Sequence, residues 1–342
     1  MYELHDGKGR AAVIGSGASA LLGAACRECA PGIRAALITD GGVPGEHIEK
    51  AAEELEAAGF AVFTFVIPRG EENKNLASLE AIWGFLYDKG FTRTDAVVGL
   101  GGGMVGDTAG FAAAVYKRGL PFVSVPTTII SQTDSAYGGK TGVDFREGKN
   151  LIGAFSRPAA IICDTDFLAT LPEEERVSGL GEVIKYGAIA EPSILENVAR
   201  DLPSDETVFA CAKIKQSFVL ADPFDMGERR VLNFGHTFGH AFEEASGFRL
   251  PHGRAVALGM LAAIRLGERL GVTESGVYEA VESACERAGL GARWEALTAD
   301  ALPLLPLDKK SDGASLDFVL LERLGRPVRR RLPFELIARL MG

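Results

Sequence analysis

The first 165 residues alternate short apolar runs with segments of helix length, and no other feature constrains the fold as tightly. Runs rich in β-branched or aromatic residues occur at 11–14, 35–39, 60–67, 96–100, 122–125 and 160–163. Between them, stretches such as 45–58 and 75–89 carry apolar residues at helical spacing. Short strands joined by helices form βαβ units, which bury a parallel sheet between two helical layers. Ligands of such sheets bind beyond the carboxyl ends of the strands.

After about residue 165 the pattern changes. Thr170, Pro172 and Glu173 read as a helix start, with Thr170 as the N-cap. Helical stretches are expected at 172–190, 205–221, 228–246, 253–271 and 275–288, with one strand-like run at 316–321. The expected fold is α/β: a Rossmann-like parallel-sheet domain over residues 1–170 and a mainly α-helical domain over 171–342. The active site is expected in the cleft between them.

Charge excludes a nucleic-acid-coating protein, because 36 Lys and Arg stand against 46 Asp and Glu, a net charge of −10. The polar start MYELHDGKGR has no apolar signal region, and no apolar run is long enough to span a membrane. Five scattered cysteines read as reduced thiols in a cytoplasmic protein. Cys26 and Cys29 form a CxxC that is either a redox or metal pair or simply two small residues on a helix. The Arg329–Arg331 triplet reads as a solvated surface, and Trp83 and Trp294 as packing residues.

Two glycine-rich turns follow strand-like runs. Gly15, Gly17 and Ala20, with Asp40 after the next strand, have the form of a dinucleotide fingerprint. Gly101, Gly103 and Gly106 have the same spacing, with a helix expected to begin near Asp107. Glycines let the backbone approach a pyrophosphate at a helix N-terminus. A structural turn is the alternative for each, but two in one sheet favour nucleotide binding.

The stretch 228–246, ERRVLNFGHTFGHAFEEAS, places Arg229, Asn233, His236 and His240 on one helical face among apolar neighbours. His252 opens the next helix, and Glu182 and Lys185 share a face of 172–190. One carboxylate and two imidazoles from separate elements suit a catalytic zinc site with an open position. A histidine-bearing helix that only packs is the other reading.

The blocks GGGMVGDTAGFAAAVYKRG, VPTT, QTDSAYGGKTGVDFREGKNLIGAF, GLGEVIKYG, VLNFGHTFGHAFE, LPHGRAVALGM and LDKKSDG resemble the 3-dehydroquinate synthases of the sugar-phosphate cyclase group. The likeness spans roughly residues 35–320. It implies conversion of 3-deoxy-D-arabino-heptulosonate 7-phosphate to 3-dehydroquinate and phosphate, in the shikimate pathway to aromatic amino acids. NAD would be used catalytically, with one divalent ion, zinc or cobalt.

By the same resemblance, Glu182, His236 and His252 are the metal ligands. Asp40, Glu71, Lys74, Gly102, Gly103, Met104, Asp107, Thr127, Thr128, Lys149 and the segment Phe167, Leu168, Ala169, Thr170 would line the NAD site. Asp134, Lys140, Asn150, Lys215, Arg229, Asn233, Lys309 and Lys310 would face substrate. His240, Asp225 and Lys185 would act in catalysis, and Arg118 would reach the phosphate of a partner subunit, which implies a homodimer.

Several positions depart from the family pattern. Asp225 stands where Glu is usual, Asp144 for Asn, Gly181 for Ala and Arg254 for Glu, and Gly42 lacks an amide side chain. Sibling cyclases and a metal-dependent polyol dehydrogenase that releases NADH are the competing enzymes. A non-catalytic NAD-binding protein would lack a ligand or an acid–base group, and none is missing.

Overall fold

The computed structural model describes residues 1–7, 9–146, 148–291, 293–307 and 315–342. The strands are β1 (Tyr2–His5), β2 (Arg10–Ile14), β3 (Arg34–Asp40), β4 (Ala61–Ile67), β5 (Ala96–Gly101) and β6 (Phe122–Pro126). Then come β7 (Lys140–Phe145), β8 (Gly148–Phe155), β9 (Ala160–Cys163), β10 (Ser315–Arg323) and β11 (Arg326–Pro333). The helices are α1 (Leu22–Cys29), α2 (Gly45–Ala57), α3 (Leu76–Asp88), α4 (Gly103–Val115), α5 (Ile129–Thr133), α6 (Glu173–Ile189) and α7 (Ser193–Asn197). They continue with α8 (Asp205–Ala221), α9 (His236–Ala245), α10 (His252–Arg269), α11 (Val277–Arg287), α12 (Glu295–Ala301) and α13 (Phe334–Met341).

The chain divides into two units, one of Met1–Leu171 with Ser204–Phe224, the other of Pro172–Pro203 with Asp225–Gly342. A single cut after 170 therefore misses a return: α8 belongs with the sheet. The reason is apolar contact, since Val208 and Ala212 of α8 pack with Leu4, Ala12, Ile14 and Ile161 of β1, β2 and β9.

The first unit holds a seven-stranded sheet in the order β1-β2-β9-β6-β5-β3-β4. Every pairing is parallel except β1 with β2. Alternation within the strands serves both faces. Ala35, Leu37, Val98 and Leu100 pack with α1 and α2 residues such as Leu22, Ala51 and Leu55. Ala36, Ile38 and Val97 pack with Leu79, Ile82, Ala109 and Ala112 of α3 and α4. Progress across the sheet reverses between β3 and β5, which makes their carboxyl ends a switch point. A separate β7–β8 hairpin packs on α4.

The second unit centres on α6, whose residues from Val177 to Ile189 are all buried. A helix buried all round is surrounded by protein, and α7, α10 and α11 pack on it. β10 and β11 form an antiparallel hairpin. Among the described residues, no helix is long and apolar enough to cross a membrane.

Candidate active site

The two glycine turns part company in the structure. In the first, the Gly17 N–H donates to Asp164 Oδ1 (3.0 Å) and Asp166 Oδ2 (3.1 Å), the Ser19 N–H to Asp164 Oδ2 (3.0 Å) and the Ser16 N–H to Asp205 Oδ2 (3.2 Å). Protein carboxylates thus hold the amides that a pyrophosphate would need. The fingerprint around Gly15 and Gly17 is a structural turn, and the expectation of a cofactor there is corrected.

At the second turn α4 begins at Gly103, earlier than the expected start near Asp107, with Gly102 as an N-cap that has no side-chain partner. The N-terminal amides at Gly103 and Met104 carry the positive end of a thirteen-residue helix. One turn later, Asp107 accepts from Lys74 Nζ at 2.7 Å, and Glu71 Oε1 lies 3.7 Å from the same nitrogen. Burial, the largest influence on Lys74, works against its charge, but Asp107 and Glu71 outweigh it and raise its pKa. A cavity lined by Gly101, Gly102, Asp107, Ser135, Lys140 and Thr141 brings Lys140 beside this turn.

Other residues of the expected cofactor set surround the strand ends. Asp40 ends β3 and accepts the Gly42 N–H at 2.6 Å. Thr127 is buried after β6, and Thr128 caps α5 reciprocally with Ser131. Phe167 and Leu168 are buried, whereas Ala169 and Thr170 are exposed. Thr170 does not cap α6, which starts after Pro172. Its Oγ1 instead donates to the Phe167 carbonyl and meets His47 Nε2, each at 2.9 Å.

Among the polar residues expected near substrate, buried Lys215 is ion-paired with Asp134. Lys149 and Asn150 are exposed on β8. Asp144 Oδ1 accepts the Asn150 N–H at 2.6 Å, and Asn150 has a left-handed φ of 53°. Arg118 is exposed, also left-handed (φ 65°), and among the described residues has no hydrogen bond or ion pair. Lys309 and Lys310 lie outside the described residues.

The second unit carries a cluster of its own. Glu182 on α6, His236 at the start of α9 and His252 at the start of α10 each present one donor atom, all within 4.8 Å of one another. Glu182 Oε1 is 3.4 Å from His236 Nε2 and 3.5 Å from His252 Nε2. Each imidazole has a second partner at Nδ1: the Phe234 carbonyl (3.2 Å) for His236 and Glu243 Oε1 (3.0 Å) for His252. These oxygens only accept, so Nδ1 carries hydrogen and the Nε2 atoms face the carboxylate.

Helix contacts set this spacing. A Cβ on Gly181 would stand 2.2 Å from the Gly253 carbonyl oxygen, and one on Gly259 would stand 2.0 Å from that of Gly235. Glycine thus lets α10 approach α6 and the start of α9 closely, next to each of the three donors.

Electrostatics tighten the cluster. Burial opposes charge on Glu182 more than any other influence, but Lys185, His236 and His252 hold its carboxyl well below the usual range. Lys185 is buried and ion-paired with Glu182. Burial lowers the His236 pKa. It also acts most strongly on His252, but bonds to Glu182 and Glu243 push that ring up to about 9. A coordinating ring must give up this proton.

The stretch 228–246 is not one helix. Glu228–Asn233 forms a 3₁₀ turn, and Gly235 sits at φ 80° before α9 begins. Arg229 and Asn233 therefore do not continue the His236–His240 face. Gly235 is required there because any Cβ would meet Val256 O at 2.7 Å and Met260 Cγ at 2.6 Å. His240 is exposed, its ring 5.5 Å from that of His236 and 6.1 Å from that of His252. Arg229 is buried, and Asp225 is half-buried with φ 58°.

Two sets of residues escaped sequence reasoning. Glu243 was legible in principle, three positions beyond His240 on the same face. The Arg triplet is more than a solvated surface: Arg329 donates to the Gly227 carbonyl at 3.2 Å, and both it and Arg230 lie 3.8 Å from Asp317. The hairpin thereby braces the segment that carries Arg229. Cys26 and Cys29 are free thiols, Cys26 pushed up to about 12 mainly by burial, which suits packing rather than redox chemistry.

The fold is that of the sugar-phosphate cyclases. A crystal structure of 2-deoxy-scyllo-inosose synthase complexed with carbaglucose-6-phosphate, NAD+ and Co2+ covers 99% of this chain and 98% of its own, with TM-score 0.88 and 23% identity. 2-epi-5-epi-valiolone synthase from Streptomyces hygroscopicus, with NAD+ and Zn2+ bound, gives TM-score 0.78 and 24% identity over 90% and 89%. A probable glycerol dehydrogenase from Sinorhizobium meliloti is more distant, at TM-score 0.58 and 18% identity over 96% and 94%.

The 3-dehydroquinate synthase N-terminal family model matches residues 64–178, and the C-terminal model matches 179–311. The 3-dehydroquinate synthase of Geobacter metallireducens is 41% identical over 91% of this chain and 89% of its own. That of Streptococcus gordonii is 40% identical over 87% of each. The chain belongs to the 3-dehydroquinate synthase family.

Proposed function

We propose that this chain converts 3-deoxy-D-arabino-heptulosonate 7-phosphate to 3-dehydroquinate and inorganic phosphate, in keeping with relatives of about 40% identity that are named 3-dehydroquinate synthase. The observation that carries this reading is the convergence of Glu182, His236 and His252. One carboxylate oxygen and two Nε2 atoms within 4.8 Å are the donor chemistry of a divalent zinc or cobalt ion. Structural neighbours carry NAD+ with Co2+ or Zn2+. When bound, the cation would polarise a substrate hydroxyl, while the nicotinamide would take up a hydride and later return it.

The chain's residues do the rest. The α4 N-terminus at Gly102, Gly103 and Met104 would hold the cofactor pyrophosphate, with Asp40, Glu71, Lys74, Asp107, Thr127, Thr128, Lys149 and Phe167–Thr170 around it. Lys140, Asn150, Lys309 and Lys310 would donate to the substrate phosphate, with Arg118 supplied by a partner. Asp134 and Lys215, with Arg229 and Asn233, would orient hydroxyls and the carboxylate. His240 would move the proton at a ring nitrogen, Lys185 would keep Glu182 ionised, and Asp225 would assist as a carboxylate. The later ring closure needs mainly a confined, oriented intermediate.

We also propose a homodimer in the cytoplasm. Arg118 is exposed, and Val115, Phe145 and Leu151 on α4 and its adjoining hairpin are exposed apolar side chains. All five cysteines are free, as a reducing compartment would keep them. The test of function is phosphate release from the heptulosonate phosphate, with and without chelator and added NAD. Release that needs both cation and NAD, with no build-up of NADH, is expected. No release, or steady NADH formation from glycerol, would overturn the reading in favour of a polyol dehydrogenase.

A further inference from the structure

His236 and His252 are held differently at Nδ1. His236 donates to a backbone carbonyl, which no substitution removes. His252 donates to the side chain of Glu243, which is 6% exposed on α9. The Glu243 carboxylate also lies within 4.8 Å of donor atoms of both His240 and His252.

We propose that Glu243 is a positioning residue for the cation site, fixing the tautomer and orientation of His252 so that its Nε2 lone pair faces the space beside Glu182. An imidazole free to rotate presents either nitrogen, and each wrong orientation lowers the fraction of chains ready to bind. A carboxylate behind a ligating histidine removes that freedom. The seat is specific: Glu243 lies three residues beyond His240, and the Nδ1–Oε1 separation of 3.0 Å is a hydrogen bond.

The inference rests on the reading of Glu182, His236 and His252 as the ligands, and its test separates the two. Chelator-stripped protein is titrated with Co2+ and with Zn2+ for wild type, Glu182→Gln, Glu243→Gln and Glu243→Leu. The readouts are affinity, stoichiometry, the visible spectrum of the Co2+ form, NAD affinity and the melting temperature of the stripped protein. Wild type should bind one equivalent and Glu182→Gln should not, and failure of either would overturn the ligand assignment itself. Glu243→Leu, which removes the acceptor, should bind about 10- to 100-fold more weakly with unchanged NAD affinity. Glu243→Gln, whose amide oxygen still accepts from Nδ1, should keep most of the affinity and the Co2+ spectrum.

Wild-type affinity in Glu243→Leu would overturn the proposal. So would equal weakening of both Glu243 variants with a lowered melting temperature, which would mark a packing role. A second equivalent of cation lost in Glu243→Leu would make Glu243 a ligand instead. If Glu243→Leu does not fold, Glu243→Ala carries the same comparison.

Discussion

At the scale of single residues, charge inside the protein is tolerated only where partners surround it. Glu182→Leu would leave Lys185 buried without its counter-charge, at a cost of about 3–5 kcal/mol. Chemical denaturation of the chelator-treated protein should show this loss, and calorimetry should show no cation binding. Asp95 illustrates the same principle away from the site. Its carboxylate accepts the N–H groups of Thr92 (2.7 Å), Ile33 (3.0 Å) and Arg34 (3.0 Å), and these bonds overcome burial to lower its pKa. Its stabilisation is therefore present above pH ~4 and fades as pH falls through the lowered folded value. Asp95→Ala should cost about 1–3 kcal/mol at neutral pH, and the gap from wild type should close in acid. The family resemblance singles out Glu182, His236 and His252, whereas spacing alone offers only a carboxylate and several imidazoles, because metal donors are few in kind. Glu243 is harder to read because a carboxylate on a helix is most often solvated, and its spacing from His240 is a signal that only the contact with His252 makes decisive.

At the scale of elements, strands and helices were largely legible because apolar period follows burial. The exceptions have physical causes. β1, β7, β8 and β11 are short of apolar alternation, being partly exposed strands. The expected helix 228–246 breaks because Gly235 must pass α10 at a distance no side chain permits, a tertiary demand that overrides local periodicity. The first glycine turn looks like a phosphate loop from its spacing, and only the position of Asp164, remote in sequence, reveals that its amides are taken. Gly181→Ala tests the helix contact. Its new methyl meets a backbone oxygen that cannot rotate away, so destabilisation by about 1–3 kcal/mol is expected in denaturant melts. Cation affinity should fall as well, because α6 and α10 carry Glu182 and His252.

At the scale of the whole molecule, the homodimer proposal makes a prediction that no monomer satisfies. Arg118→Ala and His236→Ala should each lose activity alone. Mixed and allowed to exchange subunits, they should regain about a quarter of wild-type turnover, since half the dimers would be mixed and each would hold one complete site. Continued inactivity of the mixture, with exchange verified, would place Arg118 in its own subunit's site. Charge and composition had already excluded broad classes, but the return of α8 to the sheet was invisible, since an amphipathic helix does not state which surface it covers. That return has a consequence for dissecting the gene. A fragment ended at Leu171 would lack Val208 and Ala212 and leave Leu4, Ala12 and Ile14 wet along one border of the sheet. It should therefore be recovered as aggregates, whereas a version with 204–224 grafted on through a flexible tether should stay in solution. Two working parts encoded in interleaved stretches cannot be traded between genes by one crossover.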